Sequence, residues 1–150
     1  MPGTGASATT ANVEEMSVPA VLRVVAAAVV VERRLLLMSK RAAPEVFYLP
    51  GGKPDQGESE LDCLRREIAE ELSVGIVQPR LWTSVTSPAA LERCPMEMTV
   101  YRAELDGEPK AASEVAALAW YADAGSFEGS LAPAIEHDVV PRLRTAGLLA

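Results

Sequence analysis

The stretch from Gly51 to Val74 constrains this chain more than any other. It reads Gly-Gly-Lys-Pro-Asp-Gln-Gly-Glu-Ser-Glu-Leu-Asp-Cys-Leu-Arg-Arg-Glu-Ile-Ala-Glu-Glu-Leu-Ser-Val. A loop rich in Gly, Pro and Asp runs into one amphipathic helix. Leu61, Leu64, Ile68 and Leu72 recur at helical spacing and form an apolar stripe. Glu67, Glu70 and Glu71 stand at i, i+3 and i+4, so the three carboxylates share one flank beside that stripe. Like charges four residues apart cost a helix about 0.2–0.5 kcal/mol. A cluster that works against its own helix points to a use, and hard divalent cations take oxygen ligands. Ser59 is placed to cap the helix, with Asp62 three residues on.

Taken alone, Arg-Arg-Glu-Ile-Ala-Glu-Glu is an ordinary solvated helix face, with Arg66 and Glu70 as an i,i+4 pair. The glycine pair and Glu58, at their spacing, change that reading. The stretch resembles the signature of the Nudix hydrolases, Gly-x5-Glu-x7-Arg-Glu-U-x-Glu-Glu-x-Gly-U, where U is a bulky aliphatic residue. Gly52 opens it, Glu58 follows, then Arg66-Glu67, Ile68, Glu70-Glu71 and Val74. One position departs: Ser73 stands where the family has a glycine. That glycine suits a helix C-cap with φ > 0, so Gly75 is expected to take over the cap. A looser resemblance extends over residues 20–147.

The resemblance implies a fold and a chemistry. The fold is α/β, an α+β mixed sheet in a Nudix-like α/β/α sandwich. The chemistry is metal-dependent hydrolysis of a pyrophosphate bond in a nucleoside diphosphate linked to another moiety. A nucleoside triphosphate, a nucleotide sugar or a dinucleotide would each qualify. Glu67, Glu70 and Glu71 are the implied ligands of Mg2+ or Mn2+, with the carbonyl of Gly51 as a further one. Arg66 would orient the carboxylates through Glu67 or Glu58, and Glu58 would brace the loop against the helix. The general base is sought first at Glu67 or Glu71, then at Glu92, Glu97 or Glu108. A catalytically silent nucleotide sensor of the same fold is the alternative. Such proteins lose metal-binding acids, and here all four remain.

Substrate contacts are less marked. Lys40 and Arg41 end a strand near the glycine loop, and Arg102 is a third candidate for phosphate. Tyr48, with Phe47, Trp82 and Tyr101, is a candidate to stack on a base. Glu114 and Trp120 read as structural.

Composition bounds the rest. At 150 residues and 49% hydrophobic the chain is expected to form a single globular domain over residues 19–150, behind a flexible tail at 1–18. Within that tail a short helix near Asn12–Met16 is weakly signalled. The net charge of −7 argues against a duplex nucleic acid partner. It does not argue against a small nucleotide, because a bound metal inverts the local field. Cys63 and Cys94 lack metal-ligand spacing and read as reduced thiols. No apolar run is long enough for a membrane span, and no signal peptide is expected, which suggests a cytoplasmic protein. A homodimer is expected by family analogy only.

Along the chain, Ala20–Val31 and Leu35–Met38 read as strands joined around Glu32-Arg33-Arg34. Pro44 is expected to break the chain before a short strand at Val46–Leu49. Val74–Val77 and Leu81–Val85 read as strand material on either side of Pro79. A loop is expected from Ser87 to about Pro95. Met96–Leu105 and Val115–Tyr121 read as the last two strands. Helical periodicity then runs from Pro133 to Leu149, with a kink at Pro141.

Overall fold

The computed structural model describes residues 21–88 and 95–150. The expected tail at 1–18, with its helix near Asn12–Met16, lies outside the described residues, as do Glu92 and Cys94. The strands are β1 (Leu22–Ala28), β2 (Val30–Val31), β3 (Arg34–Lys40), β4 (Ala43–Tyr48) and β5 (Gly51–Gly52). The helix α1 (Glu60–Leu72) follows. Then come β6 (Ile76–Pro88), β7 (Pro95–Leu105), β8 (Val115–Tyr121) and β9 (Ser130–Leu131). A π-helical turn at Ile135–Val139 leads into α2 (Val140–Thr145). No helix among the described residues is long and apolar enough to cross a membrane.

The strands form two mixed sheets rather than one. In the first, β3 is central and pairs antiparallel with β8 along its length. On its other edge it pairs with β2 at one end and β4 at the other, and β9 joins β4 in parallel. The second sheet has the order β5-β1-β7-β6, with β1 and β7 parallel. The two sheets meet where the Leu36 N–H donates to the Val29 carbonyl at 2.9 Å.

β1 shows why the fold has three layers. Its side chains alternate, and both faces are apolar. Val25, Ala27 and Val29 pack with Leu64, Ile68 and Leu72 of α1. Ala26 and Ala28 pack with Ile135, Val139 and Leu143 of the C-terminal helical segment. Such a strand needs a cover on each side, and the two helical layers supply it.

Several local expectations change. Leu61 is only half-buried, and Cys63 and Glu71 complete the buried face of α1 instead. Ser73 itself takes the left-handed C-cap at φ 61°, its N–H donating to Ala69, so Gly75 is not the cap. The Gly75 N–H donates to Asp106 Oδ1 at 2.9 Å instead. Pro44 does not end a strand. It lies inside β4, where the parallel partner reaches only Val46 and Phe47 and asks no N–H of it. Pro79 does not divide its region either: β6 runs through it, and the register shifts between Val77 and Arg80 beside Gln78 at φ 53°. β8 is not last, since the two-residue β9 follows it. The hairpin at Glu32-Arg33 forms with φ of 53° and 62°, a primed turn built without Gly or Asn. Pro141 does not break the helix: helical backbone runs from Pro133 to Thr145, and Pro141 sits in the first turn of α2, straight after the π-helical turn.

Candidate active site

The loop and α1 are tied together by Arg66. Its Nε and Nη2 donate to the two oxygens of Glu58 at 2.8 and 2.9 Å, a forked, bidentate pair. Nη1 donates to Glu67 Oε2 at 3.1 Å and reaches Glu70 Oε1 at 3.5 Å. Nη2 also donates to the Lys53 carbonyl at 3.2 Å. Glu58 accepts the Asp55 N–H at 2.8 Å. These bonds hold the Glu58 carboxyl far below the usual carboxylate range, at about 2. One guanidinium thus fixes the loop, the helix and two of the three acids.

The glycines bring backbone against both. A Cβ at Gly51, at φ +151°, would strike the backbone of Val25 and Ala26 on β1. A Cβ at Gly52 would overlap the Glu67 carboxylate. Gly51 also donates its N–H to Glu71 Oε1 at 3.0 Å. Glu71 is only 5% exposed. Burial, then the neighbouring Glu67, pushes its carboxyl up to about 8. The segment after β7 secures the same end of the helix: the Lys110 and Ala112 N–H groups donate to the carbonyls of Leu72 and Glu71.

The three acids therefore fan out. Glu71 points into the protein, Glu67 stands at the rim with its side chain 16% exposed, and Glu70 lies outside at 53%. Among the described residues, no three carboxylate, histidine or cysteine side chains already converge as metal ligands do. The donor set still suits a hard cation. All its groups are oxygens, and Glu67 and Glu71 repel each other in a way that a bound cation would relieve. Glu70 is exposed enough to turn from Arg66 toward them.

A cleft of about 390 Å3 opens beside this cluster. Gly51, Gly52, Lys53, Asp55 and Glu67 line it on one side, with Lys40 and Tyr48. Tyr48 has its phenol pushed up to about 12, by burial and then by Glu71. Arg41 and Arg102 do not line the cleft. Arg41 is exposed and its N–H donates to the Glu114 carbonyl. Arg102 pairs across β7 with Ala28 and Arg80. Of the other aromatics, Phe47 packs edge-on against Phe127 in the core, and Tyr101 donates to Glu60. Glu97 is paired with Arg23 at 2.6 Å, and Glu108 is exposed.

A family model described as the NUDIX domain matches residues 21–124. The chain belongs to the Nudix family. A MutT NUDIX hydrolase from Burkholderia pseudomallei is 32% identical over 68% of this chain and 83% of its own, with a TM-score of 0.61. A MutT protein from Methanosarcina mazei Go1 shares the fold at 21% identity over 87% of this chain and 97% of its own, with a TM-score of 0.70. A UDP-X diphosphatase does so at 21% identity over 95% of this chain and 73% of its own, with a TM-score of 0.68. No curated protein matches the sequence. This Nudix protein is a hydrolase, and its class of reaction is the cleavage of a pyrophosphate linkage.

The rest of the cleft is not legible in the sequence. Leu22, Val24, Met38, Met96, Met98 and Ile135 form much of its wall. Each looks like ordinary strand or helix core in the sequence, and only the pairing of β1 with β7 brings them together. Lys53 and Asp55 were visible as loop residues, and their place in the cleft follows from Arg66 holding that loop.

Proposed function

We propose that this Nudix hydrolase cleaves the pyrophosphate bond of a nucleoside diphosphate linked to another moiety, using Mg2+ or Mn2+. The observation that carries the reading is the pair Glu67 and Glu71, pressed together behind Gly51 and Gly52 at the mouth of a cleft that also presents Lys40 and Lys53. Glu67, Glu70, Glu71 and the carbonyl of Gly51 would hold the metal. When bound, it would neutralise phosphoryl charge and make a bound water more acidic.

The chain's own groups do the rest. Lys40 and Lys53 offer cations to the phosphate oxygens. Arg66 keeps Glu67 aimed, and Glu58 keeps Arg66 in place. Water attacks phosphorus, the new P–O bond forms, and the bridging P–O bond breaks to release two phosphorylated products. Of the two helix candidates for the base, Glu67 lines the cleft and Glu71 does not, which favours Glu67 as the acceptor of the water's proton. Tyr48 lines the cleft, and its raised phenol keeps a proton to offer a substrate oxygen. The diphosphatase and pyrophosphatase names among structures of this fold agree with a diphosphate substrate.

The test is a hydrolysis screen over nucleoside triphosphates, nucleotide sugars and dinucleotides, with Mg2+ and with EDTA. Release of phosphate or nucleotide that stops in EDTA is expected. If no member of the panel is cleaved with Mg2+ present, the reading fails.

A further inference from the structure

Two residues that the sequence offers as substrate contacts lie outside the cleft, Trp82 for a ring and Arg102 for phosphate. The fold brings both to one face of the second sheet. Arg102 stands two residues after Val100 on β7, so their side chains share a face, and Val100 belongs to the core that Val140 and Leu143 of α2 complete. On β6, Thr83 pairs with Val100 and Arg80 with Arg102. The register shifts between Leu81 and Thr83, and Trp82, between them, packs against the same core. Arg80, Trp82, Thr83 and Arg102 therefore stand on the side of the sheet that α2 covers.

A second cavity, of about 410 Å3, opens there between β6 and α2. Trp82 and Thr83 line it from the strand, and Arg142 and Thr145 from the helix. It shares no lining residue with the cleft beside Glu67. Its volume is that of a small-molecule site.

Three guanidinium groups gather at this cavity in a chain of net charge −7: Arg142 in its wall, Arg80 and Arg102 next along the strands. Like charges directly opposite each other across two strands are destabilising. Among the described residues, none of the three forms an ion pair. The Arg102 Nε is buried without a hydrogen-bond partner. A buried donor in that state is costly, and an anion that accepts from it removes the cost. Arg80 is eight residues from the end of β6 at Pro88, and Arg102 seven from the start of β7 at Pro95, so both stand well away from residues 89–94.

Arginine grips phosphate through its fork of N–H donors, an indole face takes an aromatic ring, and threonine hydroxyls serve the polar atoms between. An inorganic anion would use the arginines and leave Trp82 idle, whereas a neutral ring would leave the arginines repelling one another. The net charge opposes a polynucleotide. We propose that this cavity binds a small aromatic phosphate of the nucleoside monophosphate type, with its ring on Trp82 and its phosphate among Arg80, Arg102 and Arg142. The site is separate from the hydrolytic cleft and does not depend on the substrate proposed for it.

Adenosine monophosphate is titrated calorimetrically into the full chain in EDTA, beside adenosine and inorganic phosphate. Saturable binding of the monophosphate is expected, with each fragment weaker by about tenfold or more. Arg80→Ala and Arg142→Ala, both at exposed positions, should each weaken it by about tenfold or more, the loss of one charge-assisted hydrogen bond. Lys53→Ala, in the hydrolytic cleft, should leave this binding as it is. No binding, equal binding of either fragment, or affinity that both arginine variants keep overturns the proposal. A loss confined to Lys53→Ala overturns it too, because the ligand would then lie in the cleft.

Discussion

The two sides of the cleft differ in how they are built. The carboxylate side is local: the loop and α1 are contiguous, and one arginine joins them through Glu58, Glu67 and Glu70. The apolar side is assembled from β1, β3, β7 and the C-terminal segment, which sit far apart in the chain. A local site can be written as a motif, because its spacing survives whatever surrounds it. An assembled wall exists only through strand pairing, and its residues look like core. The carboxylate side is thus fixed by spacing, while the wall's residues are set by the packing of strands that lie far apart in the chain.

The largest effect is expected on the carboxylate side. Glu70→Gln removes charge and almost no volume from an exposed position. Turnover should fall at least about a thousandfold, beyond the loss of one transition-state contact, while the melting temperature stays put. Full activity in this variant would show that Glu70 plays no part in the metal site.

Leu64→Ala tests the support beneath that side. Leu64 is fully buried between α1 and β1. The variant should lose about 2–5 kcal/mol of stability by chemical denaturation. Leu61→Ala, on the half-buried edge of the same helix, should lose much less. Equal losses would mean that the helix is not rotated with Glu71 inward as described.

A pH titration sharpens the contrast between Glu71 and Glu58. The Glu71 carboxyl is raised by burial and by Glu67 to about 8, from an ordinary 4.5. A raised carboxyl favours folding when protonated, so its contribution is complete below about 4.5 and fades as pH rises through about 8. Glu58 runs the other way: its contribution is complete above 4.5 and is lost only as pH falls toward about 2. Between pH 5 and 8 the slope should therefore belong to Glu71. In EDTA, the melting temperature should fall across that window, and Glu71→Gln should flatten the fall. A slope that survives Glu71→Gln would assign it elsewhere.

Much of the fold was legible for reasons that these tests exploit. The nearly unbroken apolar run Ala20–Val31 suits a strand covered on both faces, and β1 is covered by α1 on one and the C-terminal segment on the other. Tertiary pairing overrode the local breakers Pro44 and Pro79, because each sits where a ladder is shifted or lacks a partner. Helical spacing placed the three acids on one flank but not their depth. Neighbouring residues on a helix are about 100° apart, so Glu70 and Glu71 were bound to differ in burial. Glu71 stands seven residues after Leu64 and three after Ile68, at the edge of the apolar stripe, so it turned inward, where the Gly51 N–H meets it. Lys40 and Tyr48 reach the cleft from strand ends next to the loop. Arg41, one residue beyond Lys40, falls outside it through the alternation of the strand and the turn that follows.

The smallest expected effect lies at Ser73, the one departure from the signature. Its backbone holds φ 61° and ψ 28°, and its N–H closes the helix onto Ala69. An L-residue other than Gly, Asn or Asp is disfavoured in that conformation by about 1–2 kcal/mol. Glycine relieves the strain but loses more backbone freedom on folding, at about 0.5–1 kcal/mol. The balance for Ser73→Gly is a gain of about 0.5–1 kcal/mol, read as a higher denaturant midpoint at unchanged slope. Turnover should not move, because Ser73 is exposed and does not line the cleft. A destabilised variant would mean that the serine hydroxyl supports the cap. A variant of altered activity would mean that the helix end reaches the chemistry through Glu71, whose carbonyl the Ala112 N–H already holds.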